Sequence, residues 1–329
     1  MRRREFITLL GGVTATWPLT VRAQQSDRIR RVSILLPATA DNLQFQKEIG
    51  AFLHELSVLG WTNGANVQIE TRWATTNPTE IGRQAAELAA LAPDVIVAHG
   101  TSTIAPMMQA TKVIPIVFPI AVDPLGAGFV SSLSRPGGNV TGFMTFEYGL
   151  SGKWLEFLKQ IAPNAKRVGV LRDASQSSGT SQFAVIQAAA PSLGAEVVPI
   201  NLVDADEIER DVGGFARVPS GGLIVTAGGR TERYRDLIVT LAAKWKLPVI
   251  YPESNFVSSG GLISYGANQI EQYRQSAGYV DRILRGVRPA DLPVQAPTKY
   301  ELVINRKTAK SLGLDVPLSL LTAADEVIE

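Results

Sequence analysis

The chain has 329 residues, 45% of them hydrophobic and 19% charged, enough apolar material for about two folded domains and too much for a disordered polymer. It has no cysteine and two histidines, His54 and His99, which excludes disulfides, thiolate metal sites and a lipid-bearing cysteine and leaves a histidine-rich metal centre short of ligands. The formal net charge is +2; Arg2, Arg3, Arg4 and Arg22 against Glu5 place +3 in the first 23 residues, so the remainder carries −1 and lacks the basic surface that nucleic acid requires.

Residues 1–23 read as an export signal. Arg3-Arg4-Glu5-Phe6-Ile7 fits the twin-arginine type, and the apolar stretch 6–19 is too short and too broken by Gly11, Gly12 and Pro18 to span a membrane. Val21-Arg22-Ala23 has the small residues of a cleavage site ahead of Gln24. No later run reaches the about 18 apolar residues of a membrane span, so the expected product is soluble and periplasmic.

From Arg31 onward strands and helices alternate. A strand over 32–36 is followed by a helix whose face carries Phe45, Ile49, Phe52, Leu53, Leu56 and Leu59. A strand over 67–72, a helix marked by Ile81, Ala85, Leu88 and Leu91, a strand over 94–98, a short helix and a strand over 116–120 complete the first copy. After a turn-rich connector, in which residues 126–133 suggest one short helix, the plan repeats. Strands over 168–171, 197–200, 223–226 and 249–251 alternate with helices over Phe183 to Leu193, over 206–216 and over Tyr234 to Trp245. A strand over 262–265, a helix from Ile270 to Leu284 with Asn268 and Glu271 as a capping pair, a last strand over 300–304 and a short helix over 308–312 follow. The predicted fold is α/β: two doubly wound parallel-sheet lobes with a hinged cleft between them. The expected boundaries are 31–143 plus about 266–295 for the N-terminal lobe and 144–265 plus about 296–329 for the C-terminal lobe.

Ligands of open parallel sheets bind at the carboxyl edge of the strands. The turn Gly100-Thr101-Ser102-Thr103 lies there, at the exit of the 94–98 strand and the start of a helix. It is either an ordinary hydroxyl-capped turn or an anion site built from free N–H groups and hydroxyls. Phe118, Phe146, Tyr148 and Tyr251 lie at or near the same edge, as a sandwich for an apolar ligand body or as core. Asp173 ends a strand of the second lobe, where it caps the next helix or touches ligand. No dinucleotide glycine motif follows the first strand, and no phosphate-binding loop or nucleophile elbow occurs, so no enzyme activity and no cofactor or metal is expected.

Several stretches together resemble one family. They are residues 93–124, Asp123-Pro124-Leu125-Gly126-Ala127-Gly128, Arg135-Pro136-Gly137-Gly138-Asn139-Val140-Thr141-Gly142, and the tail from Leu292-Pro293-Val294 through Ile304-Asn305 to Leu312-Gly313. The chain is identified from them as similar to the tryptophan/tyrosine-type solute-binding proteins of ATP-driven importers, with the type I periplasmic binding fold. The resemblance implies a monomer that hands a small organic acid or an aromatic or branched amino acid to an inner-membrane permease and its ATPase. A periplasmic sensor on the same fold is the alternative. It also implies that the ligand carboxylate meets Gly100, Thr101, Ser102 and Thr103, and it draws in Asp123 from the Asp-Pro motif. An Asp or Asn expected after the 223–226 strand is replaced by Ala227-Gly228-Gly229, so Gly228 borders the ligand without holding an ammonium, and Glu253 is either its substitute or a solvated loop carboxylate. An acid without an amine is therefore the first ligand to screen, with aromatic amino acids beside it.

Overall fold

The computed structural model describes residues 28–145, 147 and 149–329; the export-signal reading of residues 1–23 lies outside the described residues. β1 (Arg30–Leu36), β2 (Val67–Trp73), β3 (Val95–Ala98), β4 (Ile116–Ala121) and β5 (Val140–Met144) form one parallel sheet in the order β2-β1-β3-β4-β5. Every residue of β3 and β4 is buried, because helices cover both faces. On one face α1 (Leu43–Val58) lies against α10 (Gln269–Leu284), with Phe52, Leu56, Tyr273 and Val280 in the layer beneath. On the other, α2 (Pro78–Ala90) and α3 (Thr101–Ala110) cover Leu88, Ile96, Ile104 and Met107.

The second sheet has seven strands in the order β12-β11-β10-β9-β8-β6-β7. Its members are β6 (Arg167–Arg172), β7 (Glu196–Asn201), β8 (Gly221–Val225), β9 (Val249–Tyr251), β10 (Ile263–Ala267), β11 (Tyr300–Asn305) and β12 (Glu326–Ile328). All its pairings are parallel except that of β10 with β11. One apolar layer, around Trp154, Leu158 and Ile186, lies under α4 (Leu150–Ile161) and α5 (Ser177–Ala189). The other, around Ile208, Phe215 and Ile238, lies under α6 (Ala205–Ala216), α8 (Arg235–Lys244) and the short α9 (Ser254–Ser258).

The chain passes between the sheets after β5, at Asn268 between β10 and α10, and again on the way to β11. The crossings are tied together. Gln272 donates to the Met144 carbonyl at 2.7 Å, and Thr141 donates to that of Leu292 at 2.6 Å. Asn268 caps α10 by accepting from the Glu271 amide at 2.8 Å, the pairing its sequence predicts.

Local details differ from the sequence reading. Residues 126–133 form turns, not a helix, because Gly128 is left-handed (φ 72°) and the Asp123 carboxylate takes the Gly126 amide. The helix expected from Tyr234 to Trp245 is preceded by a separate turn of helix, α7 (Gly229–Arg233), with the break at Tyr234. β12 and the helices α11 (Arg306–Ser311) and α12 (Leu318–Ala323) complete the C-terminal end.

Candidate ligand-binding cleft

In both sheets the strand order reverses direction beside the first strand of the copy, between β1 and β3 and between β6 and β8. That switch point is where an open α/β sheet opens a crevice at its carboxyl edge. The loops leaving β3 and β4 in one lobe and β6, β8 and β9 in the other converge on this crevice.

On the first lobe, Gly100 caps α3 with φ 73° and no side-chain hydrogen bond. The Thr103 and Ile104 amides turn back to the Gly100 carbonyl, and the Thr103 hydroxyl donates to the His99 carbonyl at 2.8 Å. Thr103 is fully buried and serves the turn itself, whereas Ser102 is exposed and Thr101 partly so. Of the three hydroxyls only those of Thr101 and Ser102 are accessible, beside the first amides of α3, which lack helical partners.

Behind this turn lies a polar cluster of His99, Tyr273 and Glu48, of which the sequence reading did not single out Glu48. His99 Nδ1 and the Tyr273 hydroxyl share a hydrogen bond of 2.6 Å, and the His99 ring packs on Phe45 at 4.6 Å. Burial lowers the His99 pKa to about 3, so the ring is neutral. Glu48, 1% exposed, accepts from Gln44 Nε2 at 2.8 Å. Its other oxygen, Oε2, is buried, has no hydrogen-bond partner and lies 3.9 Å from His99 Nδ1. Burial raises the Glu48 pKa to about 8, and the carboxylates of Glu253 and Glu232 across the cleft push the same way. One signal in the sequence marks Glu48: it interrupts the inward stripe Phe45, Ile49, Phe52 and Leu56 of α1 with an acid.

On the second lobe, Glu253 leaves β9 and reaches the cleft wall. Removal from water raises its pKa to about 8, reinforced by Glu232 and opposed by hydrogen bonds from Gln269 and Asn255 and by the charge of Arg235. Glu232 pairs with Arg235 at 2.8 Å and accepts from Asn255 Nδ2, whose partner atom Oδ1 is buried without a donor. Thr145, Trp154, Ala227, Glu253, Gly266 and Gln269 border a pocket of about 10 Å³, about the room one water needs.

Two of the predicted aromatic residues belong to the core. Phe118 is fully buried in the layer beneath α3, and Tyr251, 1% exposed, stacks on Phe256 in the layer beneath α8. Asp173 accepts from the Ser175 amide and hydroxyl of its own loop and pairs at 3.3 Å with Arg230 of α7. Gly228 starts α7, next to Ala227 of the pocket wall. Asp123 does bridge the lobes: it accepts from the Gly126 amide and, at 2.8 Å, from the hydroxyl of Ser177 at the start of α5. Phe146 and Tyr148 lie outside the described residues.

The sequence from residue 32 to residue 328 matches the model of the ABC transporter substrate binding protein family. The chain belongs to that family. The binding protein is 27% identical to a tyrosine-binding protein of Clostridioides difficile over 297 residues, 88% of this chain and 84% of the relative. It superposes with a TM-score of 0.83 on a Streptococcus pneumonia ABC domain in complex with L-Trp, at 24% identity over 92% of this chain and 100% of the other. Against the ligand-free, open structure of a Clostridium difficile substrate binding protein with adhesive properties, the TM-score is 0.70, at 25% identity over 91% and 99% of the two chains. Among the described residues no helix is long and apolar enough to cross a membrane.

Proposed function

We propose that this protein is the periplasmic receptor of an ATP-driven importer, which closes on an aromatic or branched α-amino acid and hands it unaltered to a membrane permease. The observation that carries the reading is the pairing of opposite demands across one cleft. The first amides of α3 and the hydroxyls of Thr101 and Ser102 suit a carboxylate, and the buried Glu48 and half-buried Glu253 suit a positive group. The named ligands of the relatives, tyrosine and L-Trp, have that charge pattern and support an aromatic side chain. The combined demand moves amine-free acids from the first place in a screen to the control.

The test is a thermal-shift screen of the common amino acids followed by calorimetry on those that stabilise the protein. An aromatic or branched amino acid should bind with one site per chain and be recovered intact after denaturation. Turnover of the bound compound, or stabilisation by sugars but by no amino acid, would refute the proposal.

A further inference from the structure

A cavity of about 220 Å³ lies in the C-terminal lobe, away from the cleft. β11 runs antiparallel to β10, so the end of β11 and the start of α11 fall at the amino edge of the sheet, opposite the carboxyl edge that borders the cleft. The cavity opens there, between α8, α11 and the starts of β9 and β10. Val239 of α8, Leu247 beyond its end, Val249 of β9 and Leu312 beyond α11 give it apolar walls. Tyr251 adds an aromatic ring whose other neighbour is Phe256, stacked on it at 5.0 Å. An apolar cavity of about 150 Å³ holds benzene, so this one has room for a single ring and a substituent.

The polar groups of the wall are one-sided. Among the described residues that line the cavity, Lys246 is a cation without an ion pair, and no carboxylate balances it. Lys246 also stands where another residue would cost less. The end of α8 is a Schellman turn: the Leu247 amide donates to the Ala242 carbonyl at 3.0 Å and the Lys246 amide to that of Ala243 at 3.3 Å. Such a turn needs a left-handed residue, usually glycine or asparagine, and Lys246 takes it with φ 51°. Complementing the helix end does not require it, because Lys244 already occupies the last turn. The Tyr251 hydroxyl is buried with no hydrogen-bond partner, and burial keeps it protonated, so what it lacks is an acceptor. The Thr308 and Ser311 hydroxyls, by contrast, are spent on the carbonyls of Gly260 and Thr308, at 2.9 and 2.8 Å. We infer that this cavity is a second small-molecule site, for an organic acid whose apolar body is about the size of one aromatic ring. The body lies against the apolar walls, and the carboxylate meets the Lys246 ammonium at the exposed rim. The site is independent of the cleft and of the ligand that the cleft takes.

Nuclear magnetic resonance of methyl-labelled protein tests this with four probes: benzoate and phenylacetate, neutral benzamide and cationic benzylamine. Either acid should bind with a Kd of about 1 mM or tighter, and its ring protons should show Overhauser contacts to the methyls of Val239, Leu247, Val249 and Leu312. Benzamide should bind about threefold more weakly or worse, and benzylamine more weakly still. Lys246→Gln should weaken the acids by about three- to tenfold and leave benzamide as it was. Ala243→Trp, at an exposed position of the same wall, should fill the mouth and abolish the contacts with circular dichroism unchanged. If that variant is misfolded, Lys246→Gln decides by itself. Absence of contacts to these four methyls overturns the site, as does equal affinity for benzoate and benzamide, an acid affinity untouched by Lys246→Gln, or contacts that survive in a folded Ala243→Trp.

Discussion

Replacing Ser177 by Ala removes the hydroxyl that Asp123 reaches across the cleft at 2.8 Å. The bond has a charged acceptor, which would place it at about 1.5–3 kcal/mol if buried, but it lies at the exposed mouth, so about 0.5–1.5 kcal/mol is the reasonable figure. That energy is present in the closed state alone. It should lower the closed-to-open ratio by about two- to tenfold, and weaken any ligand selective for the closed state by the same factor. The Gly126 amide keeps its bond to Asp123 in this variant, so the lobe itself should be as stable as before. Gly126→Ala should act more strongly in the same direction, since a Cβ there would meet Ser177 Oγ at 2.7 Å and crowd the Asp123 carboxylate. The chain has no cysteine, so Val113→Cys and Leu318→Cys, 83% and 77% exposed and on different lobes, give two clean dye positions. Energy transfer between them should shift toward the open state in Ser177→Ala with no change in melting temperature. An unchanged transfer distribution would refute the latch.

Ser102→Ala should weaken binding of an amino acid by about tenfold without lowering the melting temperature, while Thr103→Ala should lower stability by about 1 kcal/mol, because its hydroxyl serves the turn. Calorimetry with thermal denaturation separates the two. Gly142→Ala should destabilise the protein by about 3 kcal/mol or more, since at φ 155° an added Cβ would collide with Phe118, 2.7 Å from its backbone nitrogen. Urea unfolding measures it. Stability should fall on acidification below about 6.5 at up to about 1.4 kcal/mol per pH unit, because His99 is neutral when folded and gains a proton when unfolded, an effect complete only near its folded value of about 3. His99→Asn should flatten that limb of the stability profile after allowance for its own loss of packing.

The repeated strand-helix order, the two-lobe architecture and the turn after β3 were legible in the chain because they rest on local signals. Unbroken Val and Ile runs mark strands covered on both faces, as in β3 and β4, and asparagines mark the starts of α1, α2 and α10. Family motifs were legible for the same reason: Asp123-Pro124 and Arg135-Pro136-Gly137 are contiguous residues. What each motif residue does was decided in three dimensions. Asp123 has one partner three residues away and another 54 residues away on the opposite lobe, and no pattern in the sequence joins it to Ser177. Tyr251 and Phe118 lie beside the cleft in sequence order, but side chains alternate across a sheet and theirs go to the packed layers. The acid wall was invisible for a further reason. Glu48, Glu232 and Glu253 are ordinary surface types wherever water reaches them, and only the tertiary structure brings three segments distant in sequence near enough for their charges to act on one another.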